Sequence, residues 1–164
     1  MTTIGLISDT HDYLDEAVYR HFANCDEIWH AGDFGSASIA EALQQCKPLR
    51  GVYGNIDGQD IRSQFPETLV WTCEQVKIVM THIGGYPPKY NPASKALILQ
   101  HQPQLFISGH SHILKVIYDD KQHCLHMNPG AAGKQGWHKI RTLIRFVIDG
   151  REMKHCEVIE LGAR

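Results

Sequence analysis

Aspartate, asparagine and histidine residues recur along this chain in short polar motifs. The motifs are Asp9-Thr10-His11, Gly32-Asp33, Gly54-Asn55-Ile56-Asp57, Thr81-His82 and Gly109-His110-Ser111-His112. Together they supply two aspartates, one asparagine and four histidines as candidate ligands: Asp9, His11, Asp33, Asn55, His82, His110 and His112. Carboxylate, amide and imidazole groups without a thiolate suit Mn, Fe, Ni or Zn. The motifs therefore predict a site for two divalent metal ions.

The spacing within the motifs allows neighbouring ligands to reach one site. Asp9 and His11 are two residues apart, as are His110 and His112. In extended backbone, residues i and i+2 point to the same side, so each pair can face one ion. Asp33 follows a glycine that permits close approach of the backbone, and the two oxygens of a carboxylate can bridge metals about 3.5–4 Å apart.

The segments between the motifs predict alternating strands and helices in the first third of the chain. Residues 3–8 form an apolar run rich in branched side chains, which is typical of a buried strand. The full set of predicted elements comprises strands at 3–8, 27–30 and 49–53, and helices at 13–23 and after Ser36 or Ser38. Each of these strands ends just before one of the polar motifs.

From Thr68 onward the pattern becomes mainly β. It predicts a hairpin of strands 68–73 and 76–81, followed by a loop at 84–88. A helix is predicted at 92–100, with Ala93, Ala96 and Leu97 facing inward. Strands are predicted at 105–108, 114–118 and 124–127, and a final hairpin pairs 142–148 with 152–159. This order predicts one domain, residues 1–164, with two sheets packed face to face and helices outside. All the motifs then lie at the C-terminal ends of strands, where α/β sheets bind ligands.

Composition narrows the class of partner. With 16 basic and 18 acidic residues, the net charge of −2 does not favour a long nucleic acid or an anionic membrane. A small anionic substrate fits, because bound metals would supply local positive charge.

The five cysteines are widely spaced without a C-x-x-C pair, which predicts reduced thiols. The start of the chain resembles no signal peptide and no long apolar window follows, so we expect a cytoplasmic protein.

In this order the motifs resemble the calcineurin-like metallophosphoesterases, and within them the small YfcE-like phosphodiesterases. Asn128-Pro129-Gly130 also matches the N-P-G turn near the end of that family. The resemblance implies an α/β fold, a four-layer α/β/β/α sandwich of two mixed sheets. It further implies two ligand sets that share Asp33: Asp9, His11, Asp33 and His112 for one ion, and Asp33, Asn55, His82 and His110 for the other.

The same resemblance implies a metal-dependent phosphodiesterase. Its substrate would be a small phosphodiester or nucleotide-like molecule, attacked by a hydroxide that bridges two ions, with manganese expected and Fe, Ni or Zn as alternatives. Two positions depart from the family. Ile56 stands where relatives have a histidine or cysteine as general acid, and Ile83-Gly84 follows His82 where many have Gly-His. No catalytic side chain is therefore assigned beyond the metal-bound water.

Two roles remain open at this point. One is the enzyme, and the other is a protein that keeps the fold and metals but binds partners, as a retromer subunit of the same fold does. The complete ligand set favours the enzyme, whereas Ile56 favours the binding role.

Several polar residues outside the ligand set have two interpretations. His30 is either an outer group that orients a ligand or a buried structural histidine. Asp57 either holds Asn55 or the loop around it, or is a plain turn residue. Tyr86, Lys89 and Tyr90 are candidates for the rim of the pocket. A charged surface loop is the expected setting of Lys134, His138 and Arg141.

Overall fold

The computed structural model describes residues 1–164, and its main elements are two five-stranded sheets and four helices. The strands in chain order are β1 (Thr2–Ile7), β2 (Glu27–His30), β3 (Leu49–Gly51), β4 (Thr68–Cys73), β5 (Val76–Thr81), β6 (Gly85–Tyr86), β7 (Lys89–Tyr90), β8 (Leu105–Ile107), β9 (Leu114–Asp119), β10 (Cys124–Pro129), β11 (Ile140–Asp149) and β12 (Glu152–Ala163). The helices are α1 (Ala17–His21), α2 (Ala37–Cys46), α3 (Gln59–Arg62) and α4 (Pro92–His101). None of the helices has the length and apolar character needed to cross a membrane.

Both large sheets are mixed. The first has the order β12-β11-β1-β2-β3, in which β1, β2 and β3 are parallel while β11 and β12 are antiparallel. The second has the order β4-β5-β8-β10-β9, with a parallel centre and antiparallel strands at both edges. Strands β6 and β7 form a separate two-stranded sheet.

The core consists of three apolar layers. Between the sheets, Trp29 and Phe146 of the first sheet pack with Ile107 and other residues of the second. The outer face of the first sheet is covered by α1, α2 and α3, which bury residues such as Leu43. On the outer face of the second sheet, Ile98 of α4 packs with Phe106. The predicted four-layer α/β/β/α sandwich is confirmed.

The parallel strands end level with one another, so their loops leave along one edge. Ile7, His30 and Gly51 are neighbours in register at the ends of β1, β2 and β3. In the second sheet, Met80 and Ile107 are neighbours near the ends of β5 and β8. All the candidate ligands follow these five strands, as the sequence predicts. The five cysteines are free.

Some local predictions were wrong. Helix α1 covers only Ala17–His21, not residues 13–23, because Asp12 N donates to the Phe34 carbonyl at 2.9 Å and holds the preceding chain in a loop. On α4 the buried residues are Ser94 and Ile98, whereas Ala93 and Ala96 are exposed and Leu97 is half-buried.

The predicted loop at 84–88 contains strand β6, which pairs with β7. Helix α3 was not predicted, because four residues are too few to show a helical period. Helix α2 begins after Ser36, one of the two predicted N-caps.

Candidate metal centre

Backbone hydrogen bonds join the loops that carry the candidate ligands. Asp9 N donates to the carbonyl of Gly32 at 3.0 Å, and His11 N donates to that of Asp33 at 3.1 Å. In the second sheet, Gly109 N donates to the carbonyl of His82 at 2.9 Å, and His110 N donates across to the Asp9 carboxylate of the first sheet at 3.1 Å. The loops after β1, β2, β5 and β8 are thereby fixed to one another, which positions the side chains they carry.

Asp9, His11 and His112 form the first cluster, with candidate ligand atoms all within 4.8 Å of one another. Asp9 Oδ1 is 3.2 Å from His112 Nε2 and 3.8 Å from His11 Nε2. The second carboxylate oxygen of Asp9 accepts hydrogen bonds from the Ser8 hydroxyl at 2.6 Å and from His110 N at 3.1 Å. One oxygen is therefore anchored and the other faces the histidines.

Asp33, His82 and His110 form the second cluster within the same distance limit. Asn55 belongs to it as well, because His110 Nδ1 lies 3.0 Å from the side-chain oxygen of Asn55. Asp33 and His82 are buried, whereas His110 and Asn55 are exposed. The cluster thus has a buried base and an accessible outer side.

Asp33 lies between the two clusters. Its Oδ2 is 3.1 Å from His82 Nε2 in the second cluster and 3.4 Å from His11 Nε2 in the first. Its Oδ1 accepts the backbone N–H of Ile56 at 3.1 Å, which fixes the carboxylate plane. All seven predicted ligands therefore lie in one continuous group, with Asp33 in the position expected of a shared ligand.

The hydrogen bond of His82 determines which nitrogen faces the centre. Its Nδ1 donates to the Ala31 carbonyl at 2.7 Å, so the lone pair is on Nε2, which points at Asp33. His82 Nε2, His11 Nε2 and Asp9 Oδ1 are buried without a hydrogen-bond partner. Buried polar atoms normally have partners. In the neutral ring the Nε2 lone pair faces a carboxylate oxygen, and a divalent cation between the two atoms would satisfy both, so the donor set fits divalent cations.

Asp9 stays ionised despite its burial. Desolvation on its own would raise the pKa of this carboxyl, but the adjacent His11 and His112 rings outweigh that effect and hold the pKa well below its usual range. For His82, burial lowers the pKa, and the contact with Asp33 more than compensates, so the pKa is raised. The ionised carboxylate of Asp9 is therefore a negative group that attracts a cation.

His30 is a structural group within this region. Gly32 N donates to His30 Nδ1 at 3.1 Å, so Nε2 carries the proton that is shared with the Thr10 hydroxyl at 3.1 Å. Burial lowers the pKa of His30 to about 3, which keeps the ring neutral. Its partners are the residues next to Asp9 and Asp33, so it supports their backbone and not their side chains.

Asp57 joins the loop of Asn55 to the loop of Asp33. Its carboxylate accepts three backbone hydrogen bonds, from Gly54 N at 2.8 Å, Gly35 N at 3.0 Å and Phe34 N at 3.2 Å. The side chain does not contact the amide of Asn55. It acts on the centre through the backbone of both loops.

His138 was expected in a charged surface loop, but it is half-buried beside His112. This residue donates through Nε2 to the Gly133 carbonyl at 2.8 Å, which leaves the lone pair on a buried Nδ1 without a partner. Its ring lies 5.0 Å from that of His112. Gly136 lies against both rings, since a Cβ there would be 2.1 Å from His112 Nδ1 and 3.2 Å from His138 Nδ1. The motifs offered no signal for this, because His138 belongs to none of them.

The two isoleucines that depart from the family pattern lie at the rim. Ile56 is 45% exposed and Ile83 is 42% exposed, so neither packs in the core and neither donates a proton from its side chain. A cavity of about 370 Å³ opens beside Asn55 and His82, with Ile83, Tyr53 and Arg62 also in its wall. On the other flank, the Tyr86 hydroxyl bonds that of Ser111.

Five of the seven candidate ligands have left-handed backbone conformations. Their φ angles are 54° for Asp9, 45° for His11, 58° for Asp33, 69° for His110 and 62° for His112. Side chains other than glycine rarely occupy this region, and such residues concentrate at functional sites. The chain holds these residues there because the loops are bonded to one another.

Comparison with known proteins agrees with this geometry. The calcineurin-like phosphoesterase superfamily domain matches residues 2–151. The chain belongs to the calcineurin-like phosphoesterases. Among relatives of this family, a probable metallophosphoesterase of Methanothermobacter thermautotrophicus is 29% identical over 165 residues, which cover 98% of this chain and 93% of that protein. The resemblance to this family and its small YfcE-like branch is confirmed, and metal-dependent phosphoesterase is the activity that the match supports.

Solved structures share the phosphoesterase fold. An archaeal phosphodiesterase superposes with a TM-score of 0.76 at 24% identity, covering 97% of this chain and 99% of that chain. Vps29 of Entamoeba histolytica in complex with zinc superposes with a TM-score of 0.74 at 16% identity, covering 96% and 98%. At these identities the likeness establishes the fold alone.

Proposed function

We propose that this phosphoesterase is a two-metal phosphodiesterase that hydrolyses a small phosphodiester or nucleotide-like substrate. One ion would be held by Asp9, His11, Asp33 and His112, and the other by Asp33, Asn55, His82 and His110. The observation that carries this proposal is Asp33 Oδ2, which lies 3.4 Å from His11 Nε2 and 3.1 Å from His82 Nε2. A single carboxylate oxygen facing imidazoles from both clusters suits a shared ligand.

Divalent ions at this site would neutralise charge on the phosphate group and lower the pKa of a water molecule, so that the attacking group is available near neutral pH. The remaining work falls to the chain's own residues. The Ala31 carbonyl orients His82 by accepting a hydrogen bond from its Nδ1–H, and the Ser8 hydroxyl fixes the carboxylate of Asp9. These contacts preorganise the charged groups, so little reorganisation is needed when an anionic substrate binds.

The substrate would bind at the exposed side of the second cluster. Asn55 and His82 line the cavity of about 370 Å³, a size that suits a small ester arm. The side chain of Arg62 also lines it, with its guanidinium 4.4 Å from the ring centre of Tyr53. A diester, with one ester arm in this cavity and the other leaving towards solvent, uses this geometry better than a free phosphate monoester.

The side chain at the usual general-acid position cannot protonate the leaving group. Ile56 N donates to Asp33 Oδ1, so residue 56 lies beside this carboxylate, but its side chain has no proton to give. General acid catalysis typically contributes about 10²–10⁴-fold in rate. We therefore expect hydrolysis to be fast only for leaving groups that depart without a proton, such as activated aryl oxides.

The test measures metal content and turnover on the same preparations. Protein stripped with chelator is reloaded with Mn, Fe, Ni or Zn, counted by elemental analysis, and assayed with matched aryl and alkyl phosphodiesters and with an aryl monoester. We expect two ions per chain, and a rate that depends on added metal and falls steeply as the pKa of the leaving group rises. Absence of hydrolysis with every metal, in protein that holds two ions, would contradict the proposal.

A non-catalytic role is the second candidate. Ile56 is the observation that favours it, because a partner-binding protein needs no proton donor at that position. A Vps29, one of the proteins with this fold, has been solved with zinc, so metal binding alone does not establish catalysis for such a protein. Metal-loaded protein that binds two ions but fails on all esters would favour this candidate.

A further inference from the structure

Edge strand β9 carries an unusual amount of exposed apolar surface. Five of its six residues are exposed. They include four large hydrophobic residues with exposed fractions of 36% for Leu114, 41% for Val116, 36% for Ile117 and 53% for Tyr118. The strand lies at the end of the second sheet and pairs only with β10. Its other side therefore presents unpaired backbone N–H and C=O groups to solvent.

The three other sheet edges are protected in ways that proteins commonly use. Strand β3 is only three residues long. Strand β12 carries several charged residues, and its pairing with β11 is interrupted by two register shifts. Strand β4 is mostly half-buried, and Leu69 and Trp71 pack against the core between the sheets. Strand β9 has no proline, a regular pairing with β10 and a single charged residue, Lys115, before its last position.

Both faces of β9 contribute to this apolar edge. Val116 and Tyr118 lie opposite Met127 and Leu125 of β10, whose side chains pack between the sheets. They therefore point towards the space between the two sheets. The side chain of Ile117 points to the opposite face of the sheet. An exposed hydrophobic edge of this kind invites pairing with another strand.

We propose that β9 pairs with β9 of a second copy of this chain, in antiparallel register about a two-fold axis at Ile117. In this register Ile117 is opposite the partner's Ile117, and Val116 is opposite the partner's Tyr118. Lys115 is opposite the partner's Asp119, and symmetry repeats this ion pair. The two second sheets become one continuous sheet of ten strands.

The charges of β9 support this register. Lys115 forms no ion pair with a carboxylate of its own chain, and its ammonium lies 4.9 Å from the ring centre of Tyr86. Asp119 is already fixed in place, because it accepts hydrogen bonds from the Tyr90 hydroxyl at 2.7 Å and from Lys121 N at 3.0 Å. A strand that places apolar residues opposite apolar residues and a cation opposite an anion is complementary to itself.

A second copy fits this edge better than an open assembly. The two-fold contact uses the same strand from both chains, so it consumes both exposed edges and leaves none for a third chain. The result is a closed dimer and not a fibre. The metal centres lie outside the paired strands, so dimerisation does not depend on the proposed activity.

Sedimentation equilibrium tests this proposal across a wide range of protein concentration. We expect wild-type protein to show a dimer that dissociates on dilution. Ile117→Asp places two like charges opposite each other and should give monomer at all concentrations. The matched control is Leu99→Asp, which removes a 57% exposed leucine from α4 and should leave the dimer intact. Circular dichroism of each variant checks that the fold is retained.

A cross-linking experiment tests the register. In a Cys46→Ser/Cys156→Ser background, which removes the two exposed thiols, Ile117→Cys should oxidise to a disulfide-linked dimer. Directly opposed residues of an antiparallel pair have Cβ atoms about 4.5–5.5 Å apart, close enough for a disulfide after small adjustment. Leu99→Cys should not form this link. A monomeric wild-type protein, a dimer that survives Ile117→Asp, or equal cross-linking through Leu99→Cys would each overturn the proposal.

Discussion

Replacing Asp57 with asparagine tests whether this one carboxylate holds the two loops of the metal centre together. The residue is only 3% exposed, and it accepts hydrogen bonds from Gly54 N, Gly35 N and Phe34 N. Asparagine has the same shape but offers one acceptor oxygen and one amide group. At best the oxygen keeps Gly54 N and Phe34 N, and the amide faces the N–H of Gly35.

The expected loss of stability follows from these contacts. Leaving one buried donor without an acceptor costs about 1–3 kcal/mol, and converting two charge-assisted bonds to neutral ones costs about 1 kcal/mol each. Asp57→Asn should therefore destabilise the chain by about 3–5 kcal/mol, which lowers the Tm by about 6–20 °C for a domain of this size. Asp33 and Asn55 lie in the two loops, so metal affinity should also fall by about 10–100-fold.

Thermal denaturation followed by circular dichroism, with and without metal, measures the first effect, and metal titration measures the second. The control is Asp120→Asn, because Asp120 is exposed, forms no hydrogen bond and loses the same charge. The control should keep the wild-type Tm and metal affinity. A Tm for Asp57→Asn within about 1 °C of wild type would refute the role of this carboxylate in joining the loops.

Three further outcomes are expected at the centre. Asp33→Asn should lower the occupancy of both ions, whereas His112→Ala should mainly empty one site and His110→Ala the other. Elemental analysis at several metal concentrations would measure these occupancies. Equal loss of both ions in all three variants would contradict the role of Asp33 as a shared ligand. Ile56→His should raise turnover of alkyl diesters by about tenfold, a fraction of the full effect of a general acid, and no gain over Ile56→Ala would show that position 56 is not the missing acid. His138→Ala should weaken metal binding about 10–100-fold if its Nδ1 orients His112, with His138→Asn restoring part of the affinity, and unchanged binding would leave His138 a packing residue.

The motifs predicted the layered fold and the convergence of the ligands because both depend on features that are local in sequence. A short apolar run followed by a polar residue indicates a buried strand and the loop that carries the candidate ligand after it. The parallel sheet then brings Asp9 and Asp33 to one edge without further information. Side chains alternate between the two faces of a strand every two residues, so a few residues are enough to recognise the pattern.

The length of α1 and the place of His138 depend on contacts between distant parts of the chain, whereas the other missed elements are too short to show a pattern. Helix α1 is short because Asp12 is bonded to Phe34, which no pattern within residues 13–23 reveals. The small sheet of β6 and β7 depends on pairing across a turn between Gly85 and Tyr90. His138 reaches His112 through the tertiary fold alone.

The left-handed backbone of the candidate ligands affects which variants would survive selection for stability. Each non-glycine residue held there costs about 1–2 kcal/mol, so the positions of Asp9, His11, Asp33, His110 and His112 together oppose folding by an amount comparable to the stability of a small domain. Glycine at any of them would relieve the strain and remove a candidate ligand in the same step. Laboratory evolution for heat resistance alone would therefore accumulate inactive variants, and only a simultaneous demand for metal binding would keep the motifs intact.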